Sequence, residues 1–415
     1  MNSKYDVAII GGGVIGVCSA YYLAQKAGSV LLIEKDEIAS GCSYGNGGLI
    51  VPSHAVPLAS PGALGNGLRW LLDVESPFYI KPRFDPDLLR WLVCFALSSR
   101  QGHMMRALPA LRDLLLASRA LYDELSKQEG FDFGFGGNGS LQVYLKEESF
   151  KDGIEEARLL EKFGIPIQVM SASNVLELEP ALLPNITGGI YYPRDGHIDP
   201  LRFVQCLAEK ARELGVDVLT ETEVLAFETE HRHISKIKTT RGEFTAGQVI
   251  LAAGSWSPEI ARTLNLHVPI QPAKGYSLTF EKPDPSPKFP LLLADAHVVV
   301  NPLQDALRVA GTLELAGMDF SINMRRVGAI RTATQRYLPA LAQVRVLETW
   351  RGLRPCTPDG LPIISRSGAF HNLIIAAGHA MLGMSLGPIT GKLVSQLVCE
   401  ERTDVDVTPL RLGRF

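Results

Sequence analysis

"YDVAIIGGGVIGVCSAYYLA", residues 5–24, decides the fold. Tyr5–Ile10 is a β-rich apolar run, Gly11 to Gly16 a turn, Val17 to Lys26 a helix, and Val30 to Glu34 a second strand. Gly11-x-Gly13-x-x-Gly16 therefore follows a strand and opens a helix, the context a dinucleotide site requires. Gly11 permits the tight turn, Gly13 lets a pyrophosphate approach the backbone, and Gly16 lets helix and strand pack closely. The helix N-terminus then faces the phosphates with its partial positive charge. Glu34 ends the second strand 18 residues after Gly16, in place to accept from ribose hydroxyls. Glycines that serve only a tight turn are the plainer alternative.

The same run is apolar enough to mimic an export signal. Asp6 and the glycine cluster interrupt it, and it lacks a basic segment followed by a continuous apolar core, so that alternative is set aside. No stretch approaches the ~18 apolar residues of a membrane span. At 415 residues two domains are expected. A net charge of −3 leaves no basic stripe, which argues against nucleic acid as a partner. Six widely spaced cysteines with no CxxC pair disfavour a zinc site or a disulfide framework and suit a reducing compartment. The expected location is cytoplasmic, with a peripheral place on the inner face of a membrane left open.

Farther along, Asp85–Pro86 and Asp199–Pro200 read as helix starts, and residues 86–130 as helical. Residues 270–315 alternate as antiparallel strands, and 373–399 returns to strand, glycine turn and helix. This order predicts an α/β protein. Its Rossmann-like cofactor domain is discontinuous (1–56, 196–268 and 348–415), with an inserted α+β substrate domain on an antiparallel sheet (57–195 and 269–347). Three further small-residue segments, "SGCSYGNGGLI" (40–50), "ILAAGSWS" (250–257) and "AAGHAMLGMSLG" (376–387), are suited to lining a flat ring. An NAD domain completes its site in one continuous stretch, so separated turns favour FAD. The helix after the last turn can aim its N-terminus at the flavin edge where charge accumulates on reduction.

GGGVIG, Glu34, "AAGSWS", "GLRPCTPDGLPII" and "AAGHAMLGMSLG" together resemble the D-amino-acid oxidase and glycine oxidase superfamily of FAD-dependent amine oxidoreductases. "NGGLIVPSHAVPLASPG", "DPDLLRWL", "KGYSLT" and "GTLELAG" resemble, within it, the small-subunit type of D-amino-acid dehydrogenase. The resemblance implies an FAD site formed by Gly11, Gly13, Val14, Ile15, Gly16, Glu34 and Lys35. It extends this site to Gly41, Ser43, Asn46, Gly47, Gly48 and Leu49, then Val224, Ala253, Gly254 and Trp256. Gly378, His379, Leu382, Gly383, Met384 and Ser385 complete it. Sarcosine-oxidase-type relatives attach flavin through a cysteine at the position of Gly352, so the FAD here is expected to be non-covalent.

The family's substrates carry a carboxylate, and the arginine of "GLRP", Arg354, is implied to hold it bidentately. The plainer alternative pairs Arg354 with Asp359 or a carbonyl. Arg351 is expected to be structural. Tyr276 is a second candidate for the carboxylate, against simple strand packing, and His54 a candidate facing the ring, against an exposed loop position. His231 and His233 have ligand-like spacing but no partners, so a solvated turn is expected.

The expected reaction is oxidative deamination of a D-amino acid to a 2-oxo acid and ammonia. Oxidase, proline or hydroxyproline dehydrogenase, and flavin-binding subunit of a complex are the rivals. The expected acceptor is not oxygen but a quinone or a dye. In residues 68–97, Trp70, Leu71, Leu72, Phe78, Tyr79, Trp91, Phe95 and Leu97 stand among Arg69, Lys81, Arg83 and Arg90. Such a hairpin can lie in a membrane interface, or pack as a helical pair on the substrate domain.

Overall fold

The computed structural model describes residues 4–61 and 78–415. The opening strand, Lys4–Ile10, lies at the centre of a parallel sheet because every residue after Asp6 is apolar and buried. Val30–Ile33 and then Asp217–Leu219 pair on one side of it. Gly242–Leu251 and then Leu373–Ala377 pair on the other. Strands from the start, middle and end of the chain thus form one sheet, as the order of α/β units requires. The hairpin Val224–Glu230 and His233–Thr239 extends its edge, turning at His231 with φ +50°. Both histidines of that turn are exposed, as expected of a solvated turn.

The second sheet has nine described strands and is largely antiparallel. Its functional end runs Val346–Cys356, Gln271–Glu281, Ala306–Leu315, Val298–Pro302. Alternation places Leu278, Phe280, Leu307 and Val309 in a separate apolar core. The anticipated boundary at 347/348 falls inside Val346–Cys356, whose residues pair with Gln271–Glu281 over nearly its whole length. Chain reversal into the cofactor sheet comes only after Cys356.

One helix assigned by order to the inserted domain packs elsewhere. Gln101–Leu125 buries Leu108, Leu111, Leu114, Leu115 and Tyr122 in the same core as Val14, Val17 and Leu393. The Tyr122 hydroxyl donates to the Met384 carbonyl at 2.6 Å. Its apolar stripe was legible, but not which domain it would cover. Asp199 caps Pro200–Glu213 through Leu201 N and Arg202 N, as the sequence implied.

Candidate active site

A cavity of about 320 Å³ lies over the C-terminal ends of the parallel strands, where ligands of open α/β sheets bind. Gly11 turns at φ +111°, and a Cβ there would stand 2.6 Å from the Ala252 carbonyl oxygen. Gly16 does not touch the cavity; a Cβ there would meet the Gly11 carbonyl, so its role is helix–strand approach. Gly13 differs, with its nearest obstacle the Ser43 hydroxyl at 3.4 Å, which leaves room for a phosphate. Ser43 Oγ in turn accepts from Val14 N at 2.9 Å. Glu34 is held at both oxygens, by Gly12 N at 2.5 Å and Asp36 N at 2.9 Å.

Gly13, Val14, Ile15, Glu34, Lys35, Gly41, Ser43, Asn46 and Val224 all line this cavity, as do Ala253, Gly254, Trp256, His379, Gly383 and Met384. Lys35 Nζ lies 4.5 Å from the Trp256 ring centre. His379 is buried, its Nε2 3.0 Å from Thr390 Oγ1, and burial depresses its pKa to about 3, so the ring is neutral. Room at Gly13, a fixed carboxylate at Glu34 and a helix N-terminus at Gly383 fit the pyrophosphate, ribose and ring of FAD.

Seven expected cofactor residues stand elsewhere. Gly47, Leu49 and Leu382 line a second cavity, while Gly16, Gly48, Gly378 and Ser385 line neither. Ser385 Oγ donates to Leu49 O at 2.8 Å and accepts from Val51 N at 3.3 Å, so it ties the closing helix to the small-residue loop. Gly378 shapes its turn at φ +80°. Thr222, Glu259 and Thr263 are lining residues that carried no motif.

The second cavity, about 520 Å³, shares Cys42 and Asn46 with the first and lies across the strand Val346–Cys356. Strand alternation separates the two: Leu353 and Pro355 face the cofactor side, Gly352, Arg354 and Cys356 the other. Among its described lining residues, Arg354 is the one Lys, Arg, Asp or Glu. Its Nη1 donates to the Thr312 carbonyl at 2.7 Å. Asp359 is taken by Arg414, at 2.6 and 3.0 Å, and no carboxylate among the described residues forms an ion pair with Arg354. Burial presses the guanidinium below the usual arginine value, with Cys42 and Cys356 acting the other way. It remains a cation, because arginine does not deprotonate in proteins.

Arg351 instead donates to Phe320 O and lies 4.7 Å from that ring's centre, a structural role as expected. Tyr276 lines the cavity, but its hydroxyl donates to Glu314 Oε2 at 3.0 Å and accepts from Asn323 N at 3.3 Å. Glu314 also lies near Lys274 and Arg326, a buried charged group behind the wall. His54 stands in the cavity wall, not in an exposed loop, and burial lowers its pKa to about 4. Burial likewise raises the thiols of Cys42 to about 11 and Cys356 to about 12.

The helix Pro86–Ser98 closes the cavity, started by Asp85 Oδ1 accepting from Leu88 N. Trp91 and Phe95 point inward and stack at 5.2 Å, and Trp91 Nε1 donates to Cys356 O at 2.9 Å. These two aromatics, for which a membrane surface and packing on the substrate domain were both open, are cavity wall. The outward face carries other residues: Leu89, Val93 and Leu97 are more than half exposed, and Phe84 is fully exposed. Arg69, Trp70, Leu71 and Leu72 lie outside the described residues. No helix among the described residues is long and apolar enough to cross a membrane.

Residues 6–397 match the family described as DAO, FAD dependent oxidoreductase. A D-amino acid dehydrogenase of Vibrio atlanticus is 31% identical over 99% of this chain and 100% of that protein. One from Vibrio vulnificus is 33% identical over 95% and 96%. Among solved structures, glycine oxidase from Geobacillus kaustophilus superposes with a TM-score of 0.82 at 26% identity, covering all of both chains. L-proline dehydrogenase from P. horikoshii shares the fold, with a TM-score of 0.81 at 22% identity over 100% and 98%.

Proposed function

The chain belongs to the DAO family of FAD dependent oxidoreductases, and on that premise we propose that it dehydrogenates D-amino acids with apolar side chains. One observation carries the reading: Arg354, a cation with no acidic partner among the described residues, faces an otherwise uncharged cavity beside the FAD site. An unneutralised buried guanidinium favours an anionic ligand, and its planar fork suits a carboxylate. Trp91, Leu92 and Phe95 offer the apolar wall for the side chain. Glycine would leave most of the 520 Å³ empty, which disfavours a glycine oxidase. The D configuration rests on the dehydrogenase relatives.

FAD, when bound, supplies the hydride acceptor for the Cα–H bond. The protein's part is to hold the carboxylate on Arg354 and to exclude water with the apolar wall. His54, uncharged near neutral pH, adds no second cation beside the amine. Low polarity favours the neutral amine, the form that can release hydride. Water then hydrolyses the released imino acid to a 2-oxo acid and ammonia. The FAD is non-covalent in this reading: position 352 is glycine, and the thiols of Cys42 and Cys356 stay protonated and poorly nucleophilic.

Anaerobic titration of the FAD-loaded protein tests the reaction. D-Phenylalanine and D-leucine should bleach the flavin; D-aspartate and L-phenylalanine should not. Bleaching by glycine alone would sink it. The acceptor is a membrane quinone in this reading, supported by the outward stripe Leu89, Val93 and Leu97 beside Phe84 and Arg90. A Leu89→Ser, Val93→Ser, Leu97→Ser variant should stop pelleting with anionic liposomes and keep dye reduction. Fast hydrogen peroxide formation with no pelleting of the parent protein would refute this part.

A further inference from the structure

Thr312 has φ +61°, a left-handed conformation that a β-branched residue rarely adopts. It stands at a bulge: Tyr276 pairs with Gly311 and Lys274 with Glu314, so Thr312 and Leu313 together oppose the single residue Gly275. The bulge turns the Thr312 carbonyl to Arg354, whose Nη1 donates to it at 2.7 Å. Gly275 completes the seat, since a Cβ there would overlap the guanidinium at 1.8 Å from Nη1. Thr312 itself lines the substrate cavity, and its buried hydroxyl has no hydrogen-bond partner among the described residues.

Backbone strain and an orphaned hydroxyl thus fall on one residue next to the carboxylate-binding cation. Holding Arg354 through a carbonyl needs no hydroxyl, and glycine would supply that carbonyl without strain. Resting on the amino-acid reading of the cavity, we propose that Thr312 is a substrate-binding residue: its hydroxyl donates to the carboxylate seated on Arg354. The substrate provides the acceptor that the protein withholds. A rigid, strained residue holds that donor in place before the ligand arrives, which limits the ordering cost of binding.

The test uses the FAD-loaded protein with benzoate, a carboxylate without an amine, followed by flavin absorbance, and with D-phenylalanine in turnover. Thr312→Val should weaken benzoate and raise KM for D-phenylalanine by roughly tenfold or more, the size of one hydrogen bond to a charged group, with kcat changed much less. Thr312→Ser, which keeps the hydroxyl, should restore most of both. Unchanged benzoate affinity in Thr312→Val overturns the proposal. So does equal loss in Thr312→Val and Thr312→Ser, because the effect would then belong to the backbone. The benzoate measurement is independent of the reaction: weakened binding in Thr312→Val supports the contact even where no D-amino acid is turned over.

Discussion

The two cavities on either side of the strand Val346–Cys356 are built from different materials. The cofactor side is shaped largely by backbone: the Gly11 turn, the open approach at Gly13 and helix starts at Val14 and Gly383, with the carboxylate of Glu34 held by backbone N–H groups. Side chains shape the other side, with a single cation among aromatic and aliphatic groups gathered from chain segments spread between Cys42 and Leu382. A common cofactor can be recognised by main-chain groups that any sequence supplies once its glycines are placed. Discrimination among small substrates needs particular side chains instead.

The sharpest way to break this contrast is Arg354→Lys. A point charge cannot reproduce the planar fork, so kcat/KM for D-phenylalanine should fall by about 100-fold or more while FAD stays bound. Stopped-flow flavin reduction and the visible spectrum together report both. Loss of flavin in that variant would mean the two sides are not separate. Amines lacking a carboxylate should lose far less, and equal loss would return Arg354 to a structural role.

Glu34→Ala acts on the other side. Losing an acceptor for the ribose should weaken FAD roughly tenfold, the size of one hydrogen bond to a charged group, with kcat of the reloaded protein unchanged. Dialysis followed by fluorescence of released flavin measures it. Phe95→Ala sharpens the substrate wall: KM for D-phenylalanine should rise several-fold, because apolar contact area is lost, and KM for D-alanine should hardly move. A parallel rise for both amino acids would place Phe95 outside the side-chain pocket.

The smallest effect is one of pH on stability. Burial lowers His54 and His197 to about 4 and His379 to about 3, below the ordinary 6.5. Between those values the unfolded chain binds more protons, so the neutral rings contribute stability above about pH 6.5. That contribution is lost as pH falls through 4, and the thermal midpoint should decline over this window. His379→Asn should flatten the decline; an unchanged profile would exclude His379 from it.

Much of the cofactor side was legible. Strand, glycine turn, helix and acid lie within 30 residues, and local geometry ties them to one another. Arg354 was found through its motif; of the two structural partners weighed for it, Asp359 goes to Arg414, and a carbonyl, that of Thr312, accepts from Arg354. Trp91 and Phe95 were noticed among aromatics that could meet a membrane or pack on the substrate domain, and the sequence left that choice open. A helix apolar on both faces, with Leu88 and Trp91 inside and Leu89 and Val93 outside, does not reveal which face meets the protein. Gly275 and Thr312 lie in the quoted segments "KGYSLT" and "GTLELAG", but no local pattern marked either as part of a site.

By itself the sequence determined the dinucleotide-binding unit and its flavin, because both depend on short segments whose backbone is set locally. The tertiary structure alone decided what faces what. It sorted Leu353 and Pro355 from Arg354 and Cys356, moved the whole Val346–Cys356 strand into the antiparallel sheet, and bulged one strand so that Thr312 meets Arg354 opposite Gly275. The physical reason is register: a shift of one residue turns every side chain of a strand to the other face, and pairing across the sheet fixes it.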